Sequence, residues 1–298
     1  MSAILLLALC LGLGVVMARN PRLPAGTPAA LNFWVIEVAL PALVLVEIPK
    51  LKFSGDLIFL AIAPWLIFLA AVLLFSWLGR WRAWSRGSVG ALILTCGLGN
   101  TAFMGLAMVE ALRGHEAVGA AVVADQIGTF SALSVGGIIV ASLWSGDSPH
   151  PRLIVKRLFS FAPFLAFLVA LALRQIGPLP DDVIAALRRL GLTVTPVALF
   201  SVGLQLRLRG FGDHLPKLAS GLAWKLALAP LFVAGIAAVL GLHGEAIAVG
   251  ILQCAMAPMV TAGIIAEQHD LDPPLANLMV SVGTLLSMLT VPLVSHLV

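Results

Sequence analysis

The chain has 298 residues, of which 60% are hydrophobic and only 11% are charged. Soluble domains carry roughly 25% charged residues, so this composition excludes soluble enzymes, nucleic-acid-binding modules and disordered chains. The formal net charge is +4, but the basic residues lie between apolar runs, where they set membrane topology rather than bind nucleic acid. Because these runs are long and do not alternate as the strands of a membrane barrel do, we predict an all-α membrane protein.

Ten segments are long enough to cross a bilayer, which takes about 20 apolar residues in a helix. The first lacks the basic start and the cleavage site of a secretory signal and is therefore taken as a span. The connections are short and leave no room for a soluble domain. The predicted spans 1 to 10 cover residues 2–18, 29–49, 56–78, 88–112, 116–144, 155–176, 183–206, 215–241, 244–269 and 273–298.

The distribution of basic residues predicts the orientation. Of the 18 Lys and Arg residues, eleven lie in the connections after the odd-numbered spans, six lie on the other side, and Lys225 lies within span 8. The positive-inside rule places the richer side in the cytoplasm. We therefore expect a multi-pass protein of the inner (plasma) membrane with both termini outside.

The two halves of the chain resemble each other at corresponding spans. Each half, 1–149 and 150–298, contains five spans, and an odd number makes the second half enter the membrane from the opposite side. Such inverted repeats are typical of secondary transporters, although chance similarity among apolar helices remains the alternative. The matches, 155 to 158 residues apart, are Pro41 with Pro196, Gly128-Thr129 with Gly283-Thr284, and Leu94-Thr-Cys96 with Leu252-Gln-Cys254.

Spans 4 and 9 carry signals for interrupted helices. In residues 96–105, three glycines weaken the helix, and Asn100 is a good N-cap for a helix that restarts at Thr101. In residues 253–263, Pro258 removes a backbone hydrogen bond and suits the first position of a restarted helix. Both segments are therefore predicted to break in the middle of the membrane.

Two restarted helices that converge would form an anion site. Each would present unpaired N–H groups and about half a positive charge, which favours a carboxylate. Neutral hydrogen bonds would come from Asn100, Thr101, Gln253 and Thr261. The alternative is that the glycines and the proline only permit close helix packing.

At these residues the sequence resembles the auxin efflux carrier family. The resemblance covers all ten spans, and the absence of a large central loop is similar to bacterial members. The matching stretches are Gly99-Asn-Thr-Ala-Phe-Met-Gly105, Thr195-Pro-Val-Ala-Leu-Phe-Ser-Val-Gly203, Ala257-Pro-Met-Val, Ile265-Ala-Glu-Gln-His, Leu275-Ala-Asn, Thr284-Leu-Leu-Ser287 and Ser287-Met-Leu-Thr-Val-Pro292.

The resemblance implies a crossover fold in which spans 4 and 9 cross at their breaks. It implies a scaffold of spans 1, 2, 6 and 7, a moving part of spans 3–5 and 8–10, elevator-like transport and a homodimer. Asn100 and Pro258 map to the crossing, and Gln126 matches a glutamine that supports the site. Including Met259 beside the second break, the candidate substrate-binding residues are Asn100, Thr101, Gln126, Gln253, Pro258, Met259 and Thr261.

Ionisable residues within spans are costly and are therefore candidates for function. Asp125 is the most central and is the candidate for proton coupling, with a structural hydrogen bond or ion pair as the alternative. For Lys225 we favour a side chain that extends to the cytoplasmic edge over one that balances an acid. Glu37, an acid at a place where the family usually has none, is expected to make a local bond rather than face the substrate path.

These residues favour a secondary carrier of a small organic anion, with membrane lipid and protons as its other partners. No P-loop, metal-binding pattern or nucleophile motif is found, so we expect no ATP-driven pump, enzyme, cofactor or metal. The run from Glu267 to Asp272 is interpreted as a hydrated loop. A membrane sensor or interaction subunit with a carrier-like fold is the alternative function.

Overall fold

The computed structural model describes residues 2–51, 55–148, 151–177, 179–208, 211–212 and 214–298. Within these ranges every regular element is a helix, and one isolated antiparallel bridge joins Gly99 to Pro258. In chain order the helices are α1 (Ser2–Met17), α2 (Thr27–Lys50), α3 (Asp56–Trp81), α4 (Arg86–Gly97), α5 (101–113), α6 (His115–Ser145), α7 (Pro151–Phe159), α8 (Ala162–Ile176), α9 (Asp181–Gly191), α10 (Val194–Gln205), α11 (Leu215–Val239), α12 (Glu245–Cys254), α13 (Val260–Gln268) and α14 (Pro273–Leu297).

Six helical stretches in the described part of the chain are long and apolar enough to cross a bilayer. They are α2, α3, α6, the consecutive pair α9 and α10, α11 and α14. Three shorter apolar helices, α1, α8 and α12, accompany them. The prediction of a multi-pass, all-α membrane protein is therefore confirmed.

The six long stretches coincide with predicted spans 2, 3, 5, 7, 8 and 10. Predicted spans 1 and 6 fall on the shorter helices α1 and α8, and predicted spans 4 and 9 fall on the helix pairs α4–α5 and α12–α13. A helix of 12 residues is only about 18 Å long, which is too short to cross a hydrocarbon core of about 30 Å. Only the two helices of each pair together are long enough for a span.

The predicted start of span 6 is wrong. The apolar helix α8 begins at Ala162 rather than at residue 155, and the separate helix α7, which carries Arg152 and Lys156, precedes it. Phe161, the N-cap of α8, is extended, and Pro163 occupies the first turn. Because proline is tolerated in the first turn of a helix but not in its interior, it favours a new helix start here.

Very close packing joins α1 to α10 through two glycines. A Cβ atom placed on Gly14 would lie 2.3 Å from the carbonyl oxygen of Phe200, and one on Gly203 would lie 2.3 Å from that of Leu11. The two backbones are therefore in direct contact, as small residues allow in membrane helices. Helix α8 packs against α2.

The remaining helices surround the two interruptions. Helix α4 packs against α3, α6 and α14, and α12 packs against α3 and α11. Residues 88–101 and 251–260 are all buried, so both interruptions lie in the interior of the bundle. This position is where polar backbone groups must find partners inside the protein.

Candidate functional site

The first interruption spans residues 98–100. Helix α4 ends at Gly97, and α5 restarts at Thr101 in a π-helical first turn, Thr101–Gly105. The Asn100 side chain caps α5, because its Oδ1 accepts a hydrogen bond from the Phe103 amide at 3.3 Å. The predicted break and its N-cap are therefore confirmed.

The second interruption spans residues 255–259. Helix α12 ends at Cys254, and α13 begins at Val260 with Met259 as its N-cap and no side-chain cap. The break is confirmed, but the prediction that Pro258 opens the restarted helix is wrong. Pro258 lies two residues earlier, in an extended position opposite Gly99.

Backbone hydrogen bonds join the two interruptions. The Asn100 amide donates to the Ala257 carbonyl at 2.8 Å, and the Met259 amide donates to the Leu98 carbonyl at 3.1 Å. These two bonds lie on either side of the facing pair Gly99 and Pro258. Gly99 and Pro258 form no backbone hydrogen bond with each other. Proline fits here because its missing N–H is not needed in a pair of this kind.

A cavity of about 260 Å³ adjoins the paired interruptions. Four of the predicted site residues line it, namely Asn100, Met259, Thr261 and Asp125. The other lining residues are apolar and were not predicted: Ile36, Leu40, Ala102, Phe103, Phe130, Leu133, Phe161 and Val260. A larger cavity of about 850 Å³, beside Arg19 and Arg207, contains none of the predicted site residues.

Asn100 lines the 260 Å³ cavity and carries a donor without a partner among the described residues. The residue is 4% exposed, and its Nδ2 has no hydrogen-bond partner among the described residues. A buried donor without a partner costs about 1–3 kcal/mol. The first-turn amides of α5 and α13 add further donors, because the first N–H groups of a helix have no acceptor within it. Both helix starts, at Asn100 and at Val260, touch the cavity.

Asp125 forms a buried hydrogen-bonded group with Thr101 and Gln126. Thr101 Oγ1 donates to Asp125 Oδ1 at 2.5 Å, and Gln126 Nε2 donates to Asp125 Oδ2 at 2.6 Å. All three residues are at most 2% exposed. The carboxyl group thereby fixes Thr101, the first residue of α5, so that Thr101 and Gln126 support the cavity without lining it.

Gln253 connects the two halves behind the cavity. Its Nε2 donates to the Ala121 carbonyl at 3.1 Å and to the Thr101 carbonyl at 3.4 Å. A Cβ on Gly105 would lie 2.0 Å from Gln253 Oε1, so that only glycine fits at position 105 in this arrangement. Gln253 therefore holds α12 against α5 and α6 and is not part of the cavity wall.

The predicted position of Lys225 is wrong. The residue is 1% exposed, and its Nζ lies 3.3 Å from the Cys254 carbonyl, behind the second interruption. Lys225 lies in the π-helical segment Trp224–Leu228, ten residues after the start of α11. At 1.5 Å per residue this is about 15 Å from the helix start, farther than a lysine side chain can reach to the membrane edge.

Glu37 also departs from its prediction. The residue is exposed, it does not line the 260 Å³ cavity, and it has no hydrogen bond or ion pair with the described part of the chain. Glu37 therefore neither makes the local bond that was expected nor lines the cavity. Among the residues that the structure describes, no group of three His, Cys, Asp or Glu side chains is arranged to hold a metal.

Comparison with known proteins identifies the family. The sequence matches the family described as "Membrane transport protein" over residues 1–295. The chain belongs to this membrane transport protein family. The family match extends across both interruptions and the cavity, so it covers the whole of the candidate site.

Two archaeal proteins are similar to this member of the membrane transport protein family. An uncharacterized transporter of Methanothermobacter thermautotrophicus is 28% identical over 271 residues, which cover 89% of this chain and 87% of that protein. An uncharacterized transporter of Methanocaldococcus jannaschii is 23% identical over 273 residues, which cover 88% and 87%. The chain is therefore a multi-pass membrane transporter, as its resemblance to the auxin efflux carriers indicates.

Proposed function

We propose that this transporter is a secondary carrier of a small organic anion, most simply a carboxylate, that binds at Asn100. The observation that carries the proposal is the Asn100 Nδ2 donor, which is buried and has no partner among the described residues, on a side chain that lines the cavity beside two helix starts. Buried donors are normally satisfied, so a ligand that accepts hydrogen bonds explains this one.

The cavity wall offers an anion neutral donors and one acid, Asp125, which must be protonated for the anion to bind. Among the residues that line it there is no Lys, Arg or His. The positive ends of two helices supply the attraction, in the manner of half-helices that hold substrate carboxylates in other transporters. Neutral donors bind an anion weakly enough that it can leave again, as a carrier requires.

We further propose that the fold consists of two inverted repeats, 1–149 and 150–298, whose spans 4 and 9 cross at the interruptions. The pattern of helix lengths supports this architecture, since the short helices fall in spans 1 and 6 and the interrupted ones in spans 4 and 9. The packing is also reciprocal. Span 1 packs on span 7 through α1 and α10, and span 6 packs on span 2 through α8 and α2.

An elevator movement of spans 3–5 and 8–10 against spans 1, 2, 6 and 7 follows from this arrangement. The cavity lies between the two units, because Ile36, Leu40 and Phe161 come from the scaffold and the other lining residues come from the moving unit. An anion bound at Asn100 would travel with the moving unit and pass the apolar scaffold wall.

Asp125 is the proposed proton carrier. Its carboxyl group lines the same cavity as Asn100, and a negative charge there repels an anionic substrate. A proton taken up by Asp125 removes this repulsion. The anion and the proton are therefore expected to bind together, with a higher affinity for the anion at lower pH.

The protein is proposed to act as a homodimer in the inner membrane with both termini outside. The exposed Glu37 lies ten residues into α2, about 15 Å along the helix. A carboxyl group facing lipid at that depth is costly, and a second copy packed on α2 would cover it. The excess of basic residues in the connections after the odd-numbered spans supports this orientation.

The proposal can be tested with purified protein. A thermal-stabilisation screen of monocarboxylates and dicarboxylates, each paired with its uncharged carboxamide, would select a ligand for counterflow in proteoliposomes. We expect a carboxylate to stabilise the protein and to be exchanged, and its carboxamide to do neither. Equal binding of the carboxamide would reject the anion site, and binding without flux would favour a membrane sensor.

A further inference from the structure

A histidine joins two carboxylates at the ends of the helices away from the 260 Å³ cavity. His115, the first residue of α6, places Nδ1 3.0 Å from Glu110 Oε1 at the end of α5, and Nε2 3.3 Å from Glu47 Oε1 in α2. Glu47 is 6% exposed, whereas the side chains of His115 and Glu110 are about 40% exposed. The cluster therefore lies at the edge of the protein, open to protons from solution.

The contact with Glu110 is a hydrogen bond and that with Glu47 is a contact between charges, and only the charged form of the imidazole makes both favourable. A neutral histidine has one N–H donor and one acceptor nitrogen, and only the protonated ring donates from both nitrogens. If His115 loses its proton, one ring nitrogen presents a lone pair to a carboxylate oxygen, and that contact becomes repulsive. Histidine changes its charge between pH 5 and pH 8 more readily than any other side chain.

The surrounding charges set the balance of the cluster. Lys50 of α2 binds Glu47 Oε1 at 2.9 Å, so Glu47 keeps a partner when His115 is neutral. Arg113 Nε of α5 lies 3.8 Å from Glu245 Oε1 of α12, an ion pair without a hydrogen bond. Arg188 of α9 lines a cavity of about 20 Å³ together with Glu47, Glu110 and His115. Glu116 follows His115 along α6 and is exposed.

The contact crosses the proposed boundary between scaffold and moving unit. Glu47 and Lys50 lie at the end of α2 in the proposed scaffold, whereas Glu110 lies near the end of α5 and His115 begins α6 in the proposed moving unit. We propose that protonated His115 is a latch that holds the moving unit against span 2 in the conformation described here, and that its deprotonation releases the moving unit. This inference rests on the proposed elevator movement and adds a proton site distinct from Asp125.

The latch can be tested by a distance between the two units. One spin label would replace Ile176 at the end of α8, which is 81% exposed, and the other would replace Val239 at the end of α11, which is 88% exposed. Cys10 would be changed to alanine, and the buried Cys96 and Cys254 retained. Pulsed electron paramagnetic resonance would measure the distance in nanodiscs at pH 5.5 and pH 8.0.

We expect one narrow distance at pH 5.5 and a second population, at least fivefold larger than at pH 5.5, at pH 8.0. His115→Gln should give the pH 8.0 distribution at both values, and Glu110→Gln should reduce the pH dependence. The matched control His269→Gln, whose Nδ1 contacts only the carbonyl of Ile265, should keep the wild-type response.

Three results would overturn the latch. An unchanged pH response in both His115→Gln and Glu110→Gln would assign the proton effect elsewhere. A second population that responds to a transported carboxylate but not to pH would reject the latch and leave the carrier function standing. A single distance under every condition, with or without carboxylate, would reject the latch together with the elevator movement.

Discussion

The two interruptions occupy equivalent places in the two halves but differ in chemistry. The first is three residues long, and Asn100 both caps α5 and lines the cavity with an amide nitrogen that has no partner among the described residues. The second is five residues long, has no side-chain cap, and contains Pro258, which makes no hydrogen bond of its own to Gly99. The shared backbone geometry brings the helix starts together, whereas the recognition of a ligand, as we propose it, depends on one side chain in the first half.

If this difference holds, Asn100→Ala should have the largest effect of any single change. A hydrogen bond to a charged group contributes about 1.5–3 kcal/mol, so carboxylate affinity should fall roughly 10- to 150-fold, and counterflow should be lost while membrane insertion is retained. Asn20→Ala is the matched control, because Asn20 lies outside the cavity. Transport that survives in Asn100→Ala would remove the residue from the site.

Two glycine substitutions test whether the geometry of the second interruption affects carboxylate binding beyond a general loss of packing. A Cβ on Gly283 would lie 2.4 Å from Pro258 Cδ, and one on Gly128 would lie 2.6 Å from Pro64 Cγ in α3. Overpacking of this kind costs about 1–3 kcal/mol, so both Gly283→Ala and Gly128→Ala should lower the thermal unfolding temperature.

Only Gly283→Ala should also weaken carboxylate binding, since it alone displaces the residue that faces Gly99. The comparison would be made by measuring affinity in both variants at a temperature where each is folded. Equal losses of affinity would show that the geometry of the second interruption has no special part in binding.

Asp125→Asn should abolish the pH dependence of carboxylate affinity. In the wild type, lowering the pH neutralises Asp125 and removes its repulsion of the anion, so carboxylate affinity, measured as binding rather than uptake, should rise severalfold from pH 8.0 to pH 5.5. The amide keeps a similar shape and can still accept a hydrogen bond from Thr101, but it has no charge to lose, and the profile should become flat. A profile with unaltered slope would mean that Asp125 does not carry the proton.

The smallest effect is expected for Pro258→Ala. Residue 258 and Gly99 face each other without a backbone hydrogen bond, so the new N–H at this position would have no acceptor on Gly99. The bonds from Asn100 to Ala257 and from Met259 to Leu98 would remain. The added buried donor should cost about 1 kcal/mol and reduce counterflow only modestly. A loss as complete as that of Asn100→Ala would show that the proline itself, not the paired backbone, organises the site.

Local signals made the interruptions predictable from sequence. Three glycines and an N-cap residue mark the first one, and a proline marks the second, and each acts on the backbone within a few residues of its own position. The pairing of the two interruptions and the cavity beside them depend on contacts between residues about 160 positions apart in the chain. The apolar lining, including Phe130 and Phe161, carries no local signal that distinguishes it from lipid-facing residues.

Two charged residues show the same limit. The depth of Lys225 within α11 could have indicated a buried position, but the carbonyl of Cys254 that receives it belongs to another helix. His115 lies between two predicted spans, and Glu110 is the only one of its two carboxylate partners that is near it in the sequence. The contact with Glu47 of α2 has no local signal in the sequence. Long-range partners of this kind become visible only when the helices are packed.

A structure of the protein with the carboxylate selected by the stabilisation screen tests the central claim most directly. We expect density for the carboxylate in the 260 Å³ cavity, with one of its oxygens within about 3.2 Å of Asn100 Nδ2 and close to the first-turn amides of α5 and α13. Density only in the larger cavity beside Arg19 and Arg207, with the Asn100 amide still unpaired, would contradict it.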